Sequence, residues 1–208
     1  FSLRAKTGPF RFSATIPYLR IDGPGNIVGG GDTGPIVIDP NAPSPRQVRQ
    51  GVGDLSLGVA YSLPSAALGG FDVDLGARVK LPTSSRSRGL GTGKTDFAVS
   101  ADISRSIGNV SPFVTVGYRI PGKPAGLNLR NSFTGSVGTT VTAGKAVAIL
   151  SYDYAGRTSA QSIDSHSLFG ALSGPVAGGL TLTGYGTVGL SQGAPDYGVG
   201  LLASVKIR

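Results

Sequence analysis

The residues with the greatest chemical potential in this chain are scattered, and three arrangements invite a catalytic or ligand-binding reading. His166, the single histidine, stands between Ser165 and Ser167 with Asp164 beside it. A Ser/His/Asp triad is a spatial arrangement that sequence adjacency does not supply, and a solvated histidine at a loop end is the favoured reading. Gly89-Leu90-Gly91-Thr92-Gly93-Lys94-Thr95 resembles a phosphate loop, yet the position five before Gly93 is Arg88 rather than glycine. A helix should also follow, to aim its amides at phosphate, whereas a strand pattern follows here. Asp32-Thr33-Gly34 matches an aspartic-protease triplet, but that chemistry needs two carboxylates sharing a proton. One triplet in a Gly/Pro-rich stretch reads as a turn. With no cysteine and one histidine, a conventional zinc site is not expected. The sequence therefore points to a non-enzyme without metal or cofactor.

The informative charges are those that fall on alternate positions of extended segments. Arg11, Asp72, Asp74, Arg78, Lys80, Asp96, Asp102, Arg119, Arg130, Asp153 and Lys206 all occupy polar positions of expected strands. Each such side chain would cost about 2–4 kcal/mol if an Arg or Lys among them faced lipid at mid-bilayer. Pointing inward it can pair or stay hydrated. Two outcomes are open: the charges line a polar permeation path and set its selectivity, or they pair across the interior and plug it.

These charges sit on elements with a two-residue period. In Phe71-Asp72-Val73-Asp74-Leu75-Gly76-Ala77-Arg78-Val79-Lys80-Leu81 every odd position is apolar and every even one is charged or glycine. That period separates two faces of a strand. Strands are expected near 1–7, 10–21, 53–64, 71–83, 95–107, 110–121, 127–142, 145–156, 165–175, 179–191 and 197–208. Composition agrees: 34 glycines and 14% charged residues in 208, against about 25% charged in soluble domains. No apolar run approaches the roughly 20 residues of a membrane helix.

The connections alternate between short turns and longer polar loops near 22–52, 84–94, 122–126, 157–164 and 192–196, as in outer-membrane barrels. The expected fold is all-β: residues 1–208 form one antiparallel up-and-down transmembrane β-barrel of about 12 strands. The first of these would precede Phe1, because strand parity would otherwise leave the termini on opposite sides. Tyr18, Phe97, Tyr118, Tyr152, Tyr154 and Tyr197 fall toward the loop rim. Phe10, Tyr61 and Phe71 fall toward the turn rim, as two interfacial girdles.

At residues 89–96, 112–119 (Pro-Phe-Val-Thr-Val-Gly-Tyr-Arg), 128–131 (Asn-Leu-Arg-Asn), 151–154 (Ser-Tyr-Asp-Tyr) and 191–200 the chain resembles the outer-membrane proteins associated with the phenol meta-cleavage pathway. The likeness runs from about Phe10 onward. It implies a barrel of this size and an uptake role, with no catalytic residues to carry over. The ending Lys206-Ile207-Arg208 departs from the terminal aromatic that such barrels usually present.

The expected function is a bacterial outer-membrane, porin-like channel or transporter for passive passage of small organic solutes, with segment 22–52 as a constriction or lid. The alternative is an anchoring barrel that docks another envelope protein. A barrel-wall hydrolase built on His166 ranks far behind. The formal charge of +8 has basic members at Arg46, Arg49, Arg86, Arg88, Lys94, Lys123 and Arg157, all in loops. These suit lipopolysaccharide phosphates; they form no stripe of the kind that binds nucleic acid.

Overall fold

The computed structural model describes residues 1–24, 27–28, 36–37, 45–125, 128–160, 162–177 and 179–205. Its main element is an eleven-stranded sheet: β1 (Ser2–Thr7), β2 (Phe10–Thr15), β7 (Leu55–Leu63), β8 (Asp72–Leu81), β9 (Asp96–Ser104), β10 (Val110–Ile120), β11 (Ser132–Ala143), β12 (Ala146–Ala155), β13 (Ser165–Ala177), β14 (Leu180–Gly189) and β15 (Tyr197–Val205). Every neighbouring pair is antiparallel and, apart from the step from β2 to β7, consecutive in the chain. This is the up-and-down order that the alternating pattern predicts.

Register fixes which residues share a face. Arg11 stands opposite Ala60, Ala60 opposite Gly76, Gly76 opposite Ser100, Ser100 opposite Gly117 and Gly117 opposite Thr134. That row is polar or small throughout. Between its members run Phe12, Val59, Ala77, Val99, Val116 and Gly135, on the other face. A one-residue slip in any pair would exchange the two faces, so the alternation itself specifies register.

The polarity is the reverse of a water-soluble protein. Among the described residues Leu90 and Leu129 are the buried aliphatic side chains, whereas Leu57, Val99, Val116, Val137, Leu150 and Leu172 are exposed. Buried positions go instead to Asp54, Ser56, Lys80, Thr92, Ser132, Ser151 and Ser159. An apolar face continuous over so many strands far exceeds the patches that soluble monomers show.

Aromatic rings gather near both ends of the strands. Phe10 meets Tyr61 at 5.0 Å between centroids, and the Arg105 guanidinium lies 5.1 Å from the Phe71 ring. At the other end Tyr118 packs on Phe133 at 4.9 Å, and Tyr154 on His166 at 5.2 Å. Short turns join strands at the first end, where Gly8, Gly108 and Gly144 take φ near +60°, a conformation that glycine adopts without a Cβ penalty.

Two expectations are corrected. The expected strand 10–21 breaks at Ile16-Pro17, because proline offers no N–H to a ladder; the chain resumes as β3 (Tyr18–Pro24). The expected loop 22–52 is in large part a hairpin, in which β3 pairs with β6 (Arg46–Val52) from Tyr18 opposite Val52 to Pro24 opposite Arg46. Arg46 and Arg49 thus belong to a strand rather than a loop. Between them β4 (Ile27–Val28) pairs with β5 (Ile36–Val37). Asp32-Thr33-Gly34 lies outside the described residues.

Candidate functional site

The polar face encloses a cavity of about 680 Å³ whose walls come from β1, β2, β7, β8, β9, β10 and β11. Seven strands can line one cavity only if the sheet curls around it. Strand alternation aims the side chains inward, and small residues leave the space. A Cβ on Gly76 would stand 2.6 Å from the Ser100 hydroxyl, and one on Gly117 2.5 Å from that of Thr134. Larger residues in that row would close the cavity.

Six of the eleven charges expected to line a passage do line this cavity: Arg11, Arg78, Lys80, Asp96, Asp102 and Arg119. Arg11 is bridged to Asp74 at 2.5 Å and donates to the Ser62 hydroxyl at 3.0 Å. Asp102 accepts from the Thr115 hydroxyl at 2.6 Å. Asp74 and Asp72 share the polar face but are not part of the cavity wall, and Asp72, opposite Ser104 near the turn end, is exposed. Asp153, also on that face, accepts from the Ser136 hydroxyl at 2.5 Å and from Ser151. Lys206 lies outside the described residues.

Arg130 is a correction. The expected strand 127–142 begins only at Ser132, and Arg130 is an exposed residue of the preceding segment. Its amide donates to the Thr158 carbonyl at 2.7 Å, and Leu129 beside it pairs with Ser159. Burial of Leu129 in this clasp between two loops displaces the segment from the sheet.

Near the loop end of the cavity, Lys80 is the centre of a buried ionic cluster. Its Nζ lies 2.8 Å from Asp96 Oδ2, 3.0 Å from Asp54 Oδ2 and 3.3 Å from the Thr92 hydroxyl. The Asp54 oxygen facing it makes no hydrogen bond, so that contact is ionic without a bonding angle. Each carboxylate reaches further: Asp54 Oδ1 accepts from the Ser84 amide at 2.9 Å and Asp96 Oδ1 from the Gly122 amide at 2.8 Å. Lys80 therefore ties together the start of β7, the 84–94 connection and the 121–131 connection. The 84–94 segment is folded inward, with Leu90 and Thr92 both buried and a Leu90 methyl against Gly51. The segment 89–95 is followed by β9, and no helix there presents amides to a phosphate.

His166 does not meet a serine nucleophile. Ser165 and Ser167 take the polar face, while His166 lies on the apolar one opposite Tyr154. Its Nδ1 is hydrogen-bonded to the Tyr152 hydroxyl at 2.5 Å, the donor being set by the ring's tautomer. The adjoining loop is held by Asp164, which accepts from the Arg157 amide at 2.8 Å and from the Tyr154 hydroxyl at 3.2 Å. The Arg157 amide keeps the Asp164 carboxyl below the usual carboxylate range. On the β3–β6 hairpin, Arg46 Nε donates to Asp22 Oδ1 at 2.8 Å and holds that carboxyl low as well.

Sequence reasoning missed Arg4 and Lys6 of β1, which line the cavity. Their alternation with Leu3 and Ala5 carried the signal, in a strand too short to stand out. Asp54 was missed for a different reason: its role depends on contacts with Lys80 and Ser84, distant in the chain.

An antiparallel up-and-down sheet that carries charge around an inner cavity and turns its aliphatic side chains outward has the design of proteins that cross membranes with strands. The chain belongs to the family described as "Putative MetA-pathway of phenol degradation", whose model matches residues 3–207. No curated protein matches it.

Proposed function

We propose that the chain forms a closed β-barrel in a bacterial outer membrane and gives small organic solutes a passive route across it. The supporting observation is the 680 Å³ cavity walled by polar and charged residues of seven strands, behind an apolar outer face. Family membership supports the same location. In a ladder of eleven antiparallel strands the first and last run the same way. Closure by antiparallel pairing then takes a twelfth strand between β1 and β15, as an even-stranded barrel requires. The chain acts without catalysis in this reading, and the engagement of His166 with Tyr152 supports it. The test is solute flux into vesicles carrying the folded protein; vesicles that stay impermeable to ions and small solutes refute it.

A second reading is an anchoring barrel. The β3–β6 hairpin supports it, a two-stranded sheet of its own that exposes Arg20, Arg46, Gln47 and Val48. Co-purification of an envelope protein that is lost on deleting the hairpin, together with impermeable vesicles, would favour it. Lipid and lipopolysaccharide would surround either form.

A further inference from the structure

We propose that the segment 84–94 is a gate in the mouth of the passage and that Lys80 is its latch; this rests on the barrel reading above. Lys80 and Asp96 stand opposite each other at the loop end and both line the cavity. Their side chains leave the strands on the polar face, so whatever lies beyond the Lys80 ammonium lies inside the ring of strands. What lies there is this segment. Lys80 Nζ donates to the Thr92 hydroxyl at 3.3 Å, and the Ser84 amide donates to Asp54, which is itself bridged to Lys80. From the end of β10, Pro121 also lines the cavity and the Gly122 amide donates to Asp96. The mouth is thus narrowed by two connections that meet at one ionic cluster.

The attachment of the segment suits a moving part. No residue from 82 to 95 belongs to a strand. Among the described residues, the backbone-to-backbone hydrogen bonds of 84–94 are internal, from the Gly89 amide to the Arg86 carbonyl and from the Leu90 amide to that of Ser85. Side chains join it to the barrel: the Lys80 cluster on one side and, on the other, Leu90 buried against Gly51 of β6. The sheet can therefore stay intact while the segment swings out as a unit, which is the form that local opening takes. Its closed position depends on a close approach at Gly91, where a Cβ would stand 2.7 Å from Asp54 Oδ2.

The experiment is single-channel recording of the full chain folded into planar bilayers, with a covalent latch in place of the ionic one. A Cβ on Gly91 would stand 3.1 Å from Asp54 Cγ, where Asp54→Cys would put its sulfur, and disulfide geometry sets a Cβ about 3 Å from the far sulfur. Ser84→Ala clears the hydroxyl that would crowd the same Cβ, and the chain has no cysteine of its own to compete. The unsubstituted protein should show brief openings. The oxidised Asp54→Cys/Ser84→Ala/Gly91→Cys protein should stay shut, and dithiothreitol should raise its open time several-fold above the unsubstituted level, since the Asp54 tie is then missing. Leu90→Ser, which is not part of the cavity wall, should lengthen openings with no thiol present, and Ser84→Ala alone should ignore the oxidant. Equal currents in the oxidised and reduced forms overturn the inference and leave the passage intact. So do thiols that stay free under oxidant, because the segment would then not sit against Asp54. Silence of every form, the reduced protein and Leu90→Ser included, overturns the barrel-passage reading and this inference with it.

Discussion

Replacing Lys80 with methionine is the sharpest perturbation the structure offers. The substitution keeps an unbranched side chain one atom shorter and removes the charge from between Asp54 and Asp96. The side chains of Lys80 and Asp54 are 6% and 2% exposed, so the two carboxylates left facing each other cannot be rescued by water. Removing one partner of a buried ion pair costs about 3–5 kcal/mol. The eleven-stranded ladder does not depend on Lys80, so the loss should appear as local opening of the 84–94 segment. Because every 1.4 kcal/mol is about tenfold, the open population should rise by roughly two to three and a half orders of magnitude. The segment contains Arg86, Arg88 and Lys94, which makes trypsin a direct reporter. When opening and closing are fast, cleavage follows the open population. Cleavage at these sites in folded, lipid-inserted Lys80→Met should accelerate accordingly, and Lys80→Met/Asp54→Asn should recover part of the protection by removing one of the stranded charges. Tryptic resistance equal to that of the unsubstituted protein would refute the assignment of Lys80 as the tie that holds this segment inward.

Sidedness can be tested by two adjacent residues of β10. Val116→Arg, on the apolar face, should cost about 2–4 kcal/mol in urea unfolding from lipid vesicles if that residue lies near the bilayer midplane, while Thr115→Arg, facing the cavity, should cost far less and reduce flux. Equal costs would mean that the face assignment is wrong. Gly138→Ala should be destabilising by about 1–3 kcal/mol, because its methyl would collide with the Leu150 carbonyl and press on the Phe113 ring; a neutral outcome in the same assay would mean that the face is looser there. The Asp164 clasp should depend on pH in a defined direction. Its carboxyl is held low in the folded protein, so the clasp's contribution is present above the ordinary carboxylate range and is lost as pH falls through the depressed value. Hydrogen exchange at the Arg157 amide should report this, with protection persisting below the ordinary carboxylate range and absent in Asp164→Asn; early loss of protection would contradict it.

The parts of this protein that were legible beforehand are those governed by local periodicity. Asp72 to Leu81 repeats polar and apolar at a spacing of two, and a strand is the one regular element that turns that spacing into two faces. Charges on those strands could therefore be assigned to one side before any coordinates. The parts that were not legible depend on chain segments meeting at a distance. Arg130 looks like a polar strand position until Leu129 finds Ser159 and keeps the segment off the sheet. Segment 22–52 has the proline and glycine content of a loop, yet the pairing of Tyr18 with Val52 makes a hairpin of its base.

The Lys80 cluster shows why pairing could not be inferred from alternation alone. Period two places Lys80 and Asp96 on the same face, and the register sets them opposite each other, so their bridge follows from the strand pattern once the strands are adjacent. Asp54 is different, because it precedes β7 and reaches Lys80 only when the start of that strand and the 84–94 segment fold together. Of the two outcomes weighed for the inward charges, mutual pairing is seen in the Lys80 cluster. At the loop end they neutralise one another and hold a segment inward. Further along the cavity wall Arg4 and Lys6 of β1 stand beside the Arg11–Asp74 bridge. A passage built this way would have fixed geometry at its mouth, where charges are paired, and its open space further in, where glycine, serine and threonine line the wall.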